Sequence, residues 1–202
     1  AGRTDAGVHA AGQVASVKID TKLSAGELMR AVNVSLPRDV HIKRSEEIRL
    51  SFNARFDARS RSYRYIFIRK HSALWRRYFH LYDGPLDISS MRRETKELVG
   101  EKDFTSFCSS ADRCRFKKCR VVDAGLIETP PLLIFHITAD HFLHNMVRVL
   151  AGTLLEIGRG KPLRIKEIMD TMDRAAAGPT LPPNGLYLHE VRYDPLGGPS
   201  VP

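Results

Sequence analysis

The sequence predicts an α+β fold built around a largely antiparallel sheet. The predicted elements run strand–helix–strand–strand and then helix–strand–strand–helix–helix–strand, an order typical of this class. Alternation of large side chains with period two marks the strands, most clearly over residues 62–68. Apolar spacing with the helical period marks the helices, of which the longest covers about 142–157.

The first group of elements lies within residues 1–80. Alternating apolar residues predict a strand over 13–19. Ser24 and Glu27 have the spacing of a capping box, which predicts a helix from there to about Val34, before the Leu–Pro pair that ends it. Two further strands are predicted in this group, one beginning at 40–42 and one over 62–68.

A looser, basic stretch over 70–85 predicts a boundary, so that residues 1–80 form one half and 81–202 the other. Asp87 has the chemistry of a helix cap, and the helix that it opens is expected to end near Gly100. The remaining elements are predicted as strands over 120–127, 132–138 and 186–193 and helices over 142–157 and 163–174.

The charge of the chain favours a polyanionic partner. Lys and Arg number 32 against 23 Asp and Glu, which gives a net charge of +9 and a pI near 9.7. Clustered cations bind phosphate backbones, although a single run can also be a solvated face. Three runs are present: Arg55, Arg59, Arg61, Arg64, Arg69, Lys70, Arg76 and Arg77; Arg113, Arg115, Lys117, Lys118 and Arg120; and Arg159, Lys161, Arg164 and Lys166.

Other classes of protein fit the composition less well. The sequence has no apolar run of the length that a bilayer requires, and it does not begin with the pattern of a signal peptide. Three cysteines cannot all be paired within one chain, which favours reduced thiols and a soluble cytoplasmic protein.

Asp5 is the first candidate for a chemical role. It lies in a turn-like segment of small residues between Arg3 and His9. An aspartate in a turn usually bonds to its own backbone. A carboxylate beside a cation, with small neighbours that let a substrate approach, can instead act as a nucleophile.

Several segments together resemble the TruA-type pseudouridine synthases. The first is Gly-Arg-Thr-Asp-Ala-Gly-Val-His-Ala over 2–10, followed by Gly-Gln-Val over 12–14. Further segments agree in the family's order, and the resemblance covers almost the whole chain. They are Phe-Asn-Ala-Arg-Phe-Asp-Ala over 52–58 leading to Arg-Ser-Tyr-Arg-Tyr over 61–65, Asp-Phe-Thr-Ser-Phe over 103–107, His-Phe-Leu-His-Asn-Met-Val-Arg over 141–148, and Gly-Leu-Tyr-Leu over 185–188.

The resemblance implies roles for five residues. Asp5 is similar to the catalytic aspartate, Arg148 to the arginine that pairs with it, and Tyr63 to the tyrosine that packs against the target base. Arg3 and Arg55 fall on positions near the substrate. An aromatic ring beside basic residues can stack on an unstacked base, but two of the three rings on this strand face are expected to be core residues.

The resemblance also implies a reaction, a partner and a fold. The reaction isomerises uridine to pseudouridine in the anticodon stem-loop of tRNA, at positions 38 to 40, without a cofactor and usually in a homodimer. The carboxylate attacks either C1′ or C6 of the nucleotide. The fold is that of two ferredoxin-like halves that share the sheet and enclose a central cleft. Family members begin a few dozen residues earlier, so the first strand and helix are expected to be absent from this sequence.

Two alternatives to a pseudouridine synthase remain open from the sequence. A non-catalytic RNA-binding protein or inactive fragment would keep the basic surface. A hydrolytic or phosphoryl-transfer enzyme would use Asp5 with a metal. The side chains of Asp140, His141 and His144 could be metal ligands. These residues lie in a segment that the resemblance explains, so no metal site is predicted. Gly158-Arg-Gly-Lys161 lacks the spacing of a phosphate-binding loop.

Overall fold

A computed structural model of the chain describes residues 1–109 and 116–194. These residues form seven strands and four α-helices, with short 3₁₀ turns between some of them. In chain order the elements are β1 (His9–Ala10), α1 (Ala25–Ser35), β2 (Ala58–Ile68), β3 (His80–Leu81), α2 (Ile88–Lys96), β4 (Gly100–Asp103), β5 (Lys118–Thr129), β6 (Leu132–Ala139), α3 (Met146–Gly158), α4 (Ile165–Thr171) and β7 (Leu186–Tyr193).

The strands form one open mixed sheet in the order β1-β7-β2-β6-β5-β4, and β3 pairs with the end of β2. The pairs β1–β7 and β2–β3 are parallel, whereas the other pairs are antiparallel. The strand β2 is central because β6 lies on one side of it and β7, then β3, on the other. The predicted α+β class with a largely antiparallel sheet is confirmed.

The main core lies between one face of this sheet and the helix α3. Tyr65 and Phe67 of β2 are fully buried there, together with Phe135 and Ile137 of β6. The helix itself is buried along nearly its whole length. A Cβ atom at Gly152 of α3 would lie 1.9 Å from the carbonyl oxygen of Pro179, so this helix packs directly against backbone.

Several predicted elements are confirmed with small shifts of their ends. The helix α1 begins after Ser24, whose hydroxyl and backbone both take part in the predicted capping box with Glu27. Asp87 caps α2 through the N–H of Ser90, and β7 has the predicted bounds. Alternation in sequence identified β7 correctly because this strand has one buried face.

The predicted strands over 13–19 and at 40–42 are wrong. The N–H groups of Ala11 and Gly12 both donate to the carbonyl of Leu188, at 2.9 and 3.2 Å. The ladder stops at that shared acceptor, and the chain then leaves the sheet. Val17 and Ile19 are exposed, so their alternation does not reflect a buried face.

Three helix ends also differ from the prediction. The helix α3 begins at Met146 rather than at 142, because Asn145 adopts a left-handed conformation with φ 64°. The helix α4 ends at Thr171, before Met172 with φ 51°, and α2 ends at Lys96. Gly100, expected to close α2, begins β4 instead.

Some sequence features lie outside the described residues, namely Arg113, Cys114 and Arg115. The side chains of Cys108 and Cys119 are buried. Across residues 1–109 and 116–194, no helix combines the length and apolar character needed to cross a bilayer.

Candidate active site

A cavity of about 450 Å³ lies where the N-terminal loop, the strand β2 and the beginning of α3 meet. All five residues singled out from the sequence line it, although they come from segments far apart in the chain. The lining includes Arg3, Asp5, Arg55, Tyr63, Asn145 and Arg148. The fold therefore brings together side chains whose proximity no local pattern could have established.

Asp5 is placed by a turn that leads into β1. Its carbonyl accepts the N–H of Val8 at 3.1 Å, and Gly7 within the turn has φ 82°, a conformation that a side chain would disfavour. The Asp5 side chain is 40% exposed and reaches the cavity. A carboxylate in this position is ordered yet accessible to a substrate.

Arg148 projects from the first turn of α3 and is held at three points. Its Nε donates to the carbonyl of Leu181 at 2.6 Å. Its Nη1 lies 2.8 Å from Oδ1 of Asn145 and 3.3 Å from Oδ2 of Asp5. The side chain is only 16% exposed, so its pairing with Asp5 is screened less than a surface ion pair.

Asn145 has an unusual position at the start of α3. Asparagine is among the best N-cap residues, yet its side chain makes no capping bond. Its oxygen instead accepts from Arg148, and its backbone takes the left-handed conformation that asparagine tolerates. The sequence did not identify this residue, although an Asn three positions before an expected site arginine was a signal.

His144 is a second neighbour of the carboxylate that the sequence did not assign to the site. Its Nε2 lies 3.8 Å from Oδ1 of Asp5, and its side chain is 47% exposed. The two oxygens of Asp5 thus face different partners, Arg148 on one side and His144 on the other.

Tyr63 lines the same cavity as these charges. Its ring meets Phe142 edge-on, with centroids 4.9 Å apart. Burial raises the pKa of its hydroxyl, which Arg61 opposes and Asp5 reinforces, so the phenol stays neutral at physiological pH. Tyr65 and Phe67 on the same strand face are fully buried, which confirms that two of the three rings belong to the core.

Arg3 and Arg55 lie exposed at the rim of the cavity. The guanidinium of Arg61 fixes the loop that carries Arg55, because it donates to the carbonyls of Arg55 and Ala58 and to that of Asp140. The Arg55 guanidinium lies 5.3 Å above the ring of Phe56. Both rim arginines can therefore meet an anion outside the cavity.

The residues considered as metal ligands do not converge on one point. Nδ1 of His141 lies 2.9 Å from Asp140, and its Nε2 lies 3.4 Å from the Cys119 sulfur, whereas His144 faces Asp5. Within residues 1–109 and 116–194, no group of three His, Cys, Asp or Glu side chains is arranged to hold a metal ion.

Comparison with known proteins places this chain in a family. A family model described as tRNA pseudouridine synthase matches residues 95–194. The chain is 42% identical over 197 residues to a tRNA pseudouridine synthase A of Syntrophomonas wolfei, covering 96% of this chain and 79% of that protein. It is also 42% identical over 199 residues to the Bacillus subtilis protein of the same name, covering 96% and 80%. The chain therefore belongs to the TruA-type family of tRNA pseudouridine synthases, which are isomerases.

Proposed function

We propose that this protein isomerises uridine to pseudouridine in tRNA and that Asp5 is its nucleophile. One observation supports this most directly. Asp5 and Arg148, 143 residues apart, meet at 3.3 Å in a cavity that also presents Tyr63. An accessible carboxylate, a fixed cation beside it and an aromatic wall are the groups that an attack on a flipped-out nucleotide requires.

The isomerisation conserves every atom of the nucleotide. The N1–C1′ bond breaks, the base turns, a C5–C1′ bond forms, C5 loses its proton and N1 gains one. In the proposed mechanism the Asp5 carboxylate attacks C1′ or C6. It leaves C1′ as the C5–C1′ bond forms, or it leaves C6 after that bond has formed. Because no group or electron pair is left over, the reaction needs no redox cofactor or energy donor.

Arg148 holds the nucleophile in place through the 3.3 Å contact between its Nη1 and Oδ2 of Asp5. The N-terminal end of α3, which carries the positive end of the helix dipole, begins at this same point and attracts the same carboxylate. Asn145 and the Leu181 carbonyl position Arg148 and have no contact with the reacting atoms in this scheme.

Tyr63 packs against the uracil ring. Its hydroxyl is neutral at physiological pH because burial raises its pKa, so it can hold a water molecule near C5. Asp5 and that water are the two candidate acceptors for the C5 proton.

The proposed substrate is the anticodon stem-loop of tRNA, at uridines 38 to 40. The target base must leave its stack to enter the cavity, and Arg3 and Arg55 at the rim would hold the adjoining phosphates. We also propose that the protein acts in the cytoplasm as a homodimer. Its residues 1–80 and 81–202 would form two ferredoxin-like halves, with the cavity in the cleft between them.

Tritium release from tRNA labelled at C5 of uridine tests the proposal. The chain should release tritium, whereas the Asp5→Asn variant should release none and should bind tRNA with nearly the parent's affinity. Asp20→Asn, which removes an exposed carboxylate away from the cavity, is the matched control and should retain activity. An equal loss of RNA binding by Asp5→Asn would contradict its role as nucleophile. Binding without release by any form would favour a non-catalytic RNA-binding protein.

A further inference from the structure

A turn over residues 73–78 presents aromatic and basic side chains that the proposed mechanism does not use. Trp75 and Tyr78 are 48% and 47% exposed, although rings of this size are usually well buried. Arg76 and Arg77 lie between them and are also exposed. The turn over residues 73–78, with these four side chains, is the aromatic turn.

The backbone of the aromatic turn is fixed to the sheet. The Asn184 amide donates to the carbonyls of Arg76 and Phe79, at 3.2 and 3.0 Å. Nε2 of His9 lies 3.2 Å from the carbonyl of Arg77, and the Tyr187 hydroxyl donates to that of Tyr78 at 2.7 Å. Because these bonds hold the backbone, the side chains of the turn are displayed in a defined arrangement.

The rings of the aromatic turn are partly stacked already. His9 lies between Tyr187 and Tyr78, with centroid distances of 4.7 and 5.5 Å and interplanar angles of 19° and 29°. Trp75 stacks on Phe79 at 5.3 Å and 24°. Tyr78 and Trp75 each have one ring face packed on another ring of the protein. This order lowers the entropic cost of stacking a further planar group on them.

Two segments connect the aromatic turn to the cavity. His9 follows Asp5 by four residues, and Asn184 follows Leu181, whose carbonyl holds Arg148, by three. Since an extended chain spans about 3.5 Å per residue, the Cα atom of His9 lies within about 14 Å of that of Asp5, and the Cα atom of Asn184 lies within about 10 Å of that of Leu181. A few nucleotides cover such distances.

We propose that the aromatic turn binds unpaired nucleotides that flank the target uridine in the RNA substrate. Successive bases stack on aromatic side chains whatever their sequence, while arginines track the backbone phosphates. The inference rests on the proposed function, because it takes RNA as the substrate of the neighbouring cavity.

The charge of the turn favours RNA over a second copy of the chain. Residues 70–82 contain Lys70, Arg76 and Arg77 and neither Asp nor Glu. A two-fold contact centred on this surface would bring the arginines of one copy toward those of the other, and like charges in an interface are costly. A polyanion meets no such repulsion.

Trp75 supplies a direct probe, because the chain has one tryptophan. An anticodon stem-loop with cytidine in place of the target uridines binds without turnover. Added to the protein, it should quench the tryptophan fluorescence with the same midpoint as its binding measured by anisotropy. A fully paired RNA duplex of equal length should bind by charge alone and leave the fluorescence nearly unchanged.

Variants test the energetic contribution. Tyr78→Ala and the pair Arg76→Ala/Arg77→Ala keep Trp75, and each should raise the dissociation constant about ten-fold or more. In turnover assays they should raise KM and leave kcat near the parent's. The matched controls are Lys18→Ala/Lys22→Ala for charge and Val34→Ala for exposed apolar surface, and neither should change the affinity by more than about two-fold.

Two results would overturn the inference. The first is tight stem-loop binding without quenching and with Tyr78→Ala unaffected. The second is a change in tryptophan fluorescence when the protein alone is diluted, together with light scattering that shows a dimeric parent and a monomeric Tyr78→Ala variant. The turn would then contact a second copy of the chain. Quenching without pseudouridine formation would leave the inference standing and contradict the proposed isomerisation, so the two failures are distinguishable.

Discussion

Residues 1–57 and 58–194 are stabilised in different ways. In the first region Ala54 is the only buried apolar residue, and the helix α1 buries none of its side chains. In the second, the described residues form a continuous core between the sheet and α3. Exposed apolar side chains are correspondingly frequent in the first region: Val17, Ile19, Leu23, Val34, Val40, Leu50 and Phe56.

The site lies at the boundary between these regions and takes something different from each. The packed region fixes Tyr63, Asn145 and Arg148 through strand pairing, helix packing and the Leu181 carbonyl. The loosely packed region supplies Asp5 on a short turn. Precise orientation therefore comes from the core, whereas the proposed nucleophile is delivered by a loop that this core holds in place.

The largest expected difference is in stability. Leu154→Ala removes a fully buried side chain of α3 and should lower the free energy of unfolding by about 2 to 5 kcal/mol. Val34→Ala in α1 removes a side chain that is 88% exposed and should change it by less than about 0.5 kcal/mol. Urea unfolding followed by circular dichroism measures both. Similar losses for the two variants would show that the first region carries more of the stability than its burial indicates.

Asn145→Gly separates positioning from packing. Glycine accepts the positive φ of this position, so the melting temperature should stay close to the parent's. The guanidinium of Arg148 loses its 2.8 Å acceptor, and kcat should fall by about ten- to hundred-fold with KM little changed.

Two variants serve as controls for Asn145. Asn145→Asp keeps an oxygen acceptor and should retain more activity than the glycine variant. Met172→Gly relieves the second positive φ that occurs at a non-glycine residue within 1–109 and 116–194, outside the cavity, and should leave kcat unchanged. A loss of kcat in Met172→Gly equal to that of Asn145→Gly would assign the effect to backbone freedom rather than to Arg148.

The smallest expected effect is a pH dependence of the packed region. His80 of β3 packs edge-on against Tyr65 and Phe67, and burial lowers its pKa below the ordinary value near 6.5. Its neutral form is thus favoured by folding. The stability that it contributes is complete above about pH 6.5 and is lost as the pH falls through the lower folded-state pKa.

His80→Gln should therefore reduce the loss of stability between pH 7.5 and pH 5, measured as the free energy of unfolding in urea. Exposed His71→Gln is the matched control. His189, whose pKa is also lowered by burial, leaves some acid sensitivity in the variant. An unchanged pH dependence in His80→Gln would contradict the assignment.

Predictions from sequence succeeded where a pattern was produced by local structure. The capping box of Ser24 and Glu27 was found because its two bonds join residues three apart. The strand over 62–68 was found because one face is buried. The prediction of a strand over 13–19 was wrong because apolar residues alternate there without a core beside them. The start of α3 was misplaced because the apolar spacing continues through Asn145, whose backbone is left-handed.

The site could be predicted only in part. Resemblance of motifs selected Arg3, Asp5, Arg55, Tyr63 and Arg148, and all five line one cavity. The approach of His144 to Asp5, the use of Asn145 as an acceptor for Arg148 and the stacking of His9 between Tyr78 and Tyr187 were not predicted. Each of these three contacts depends on the path of a loop in the folded chain, which the local sequence does not specify.

The sequence by itself determined the α+β class, the basic character of the chain, the main helices and strands, and the family, because these depend on composition, periodicity and short motifs. Only the tertiary structure decided that Asp5 meets Arg148 at 3.3 Å, that His144 approaches Asp5, and that His9 stacks on Tyr187. The physical reason is that strand order and helix packing bring these residues together across more than a hundred positions of chain, and no local pattern encodes such distances.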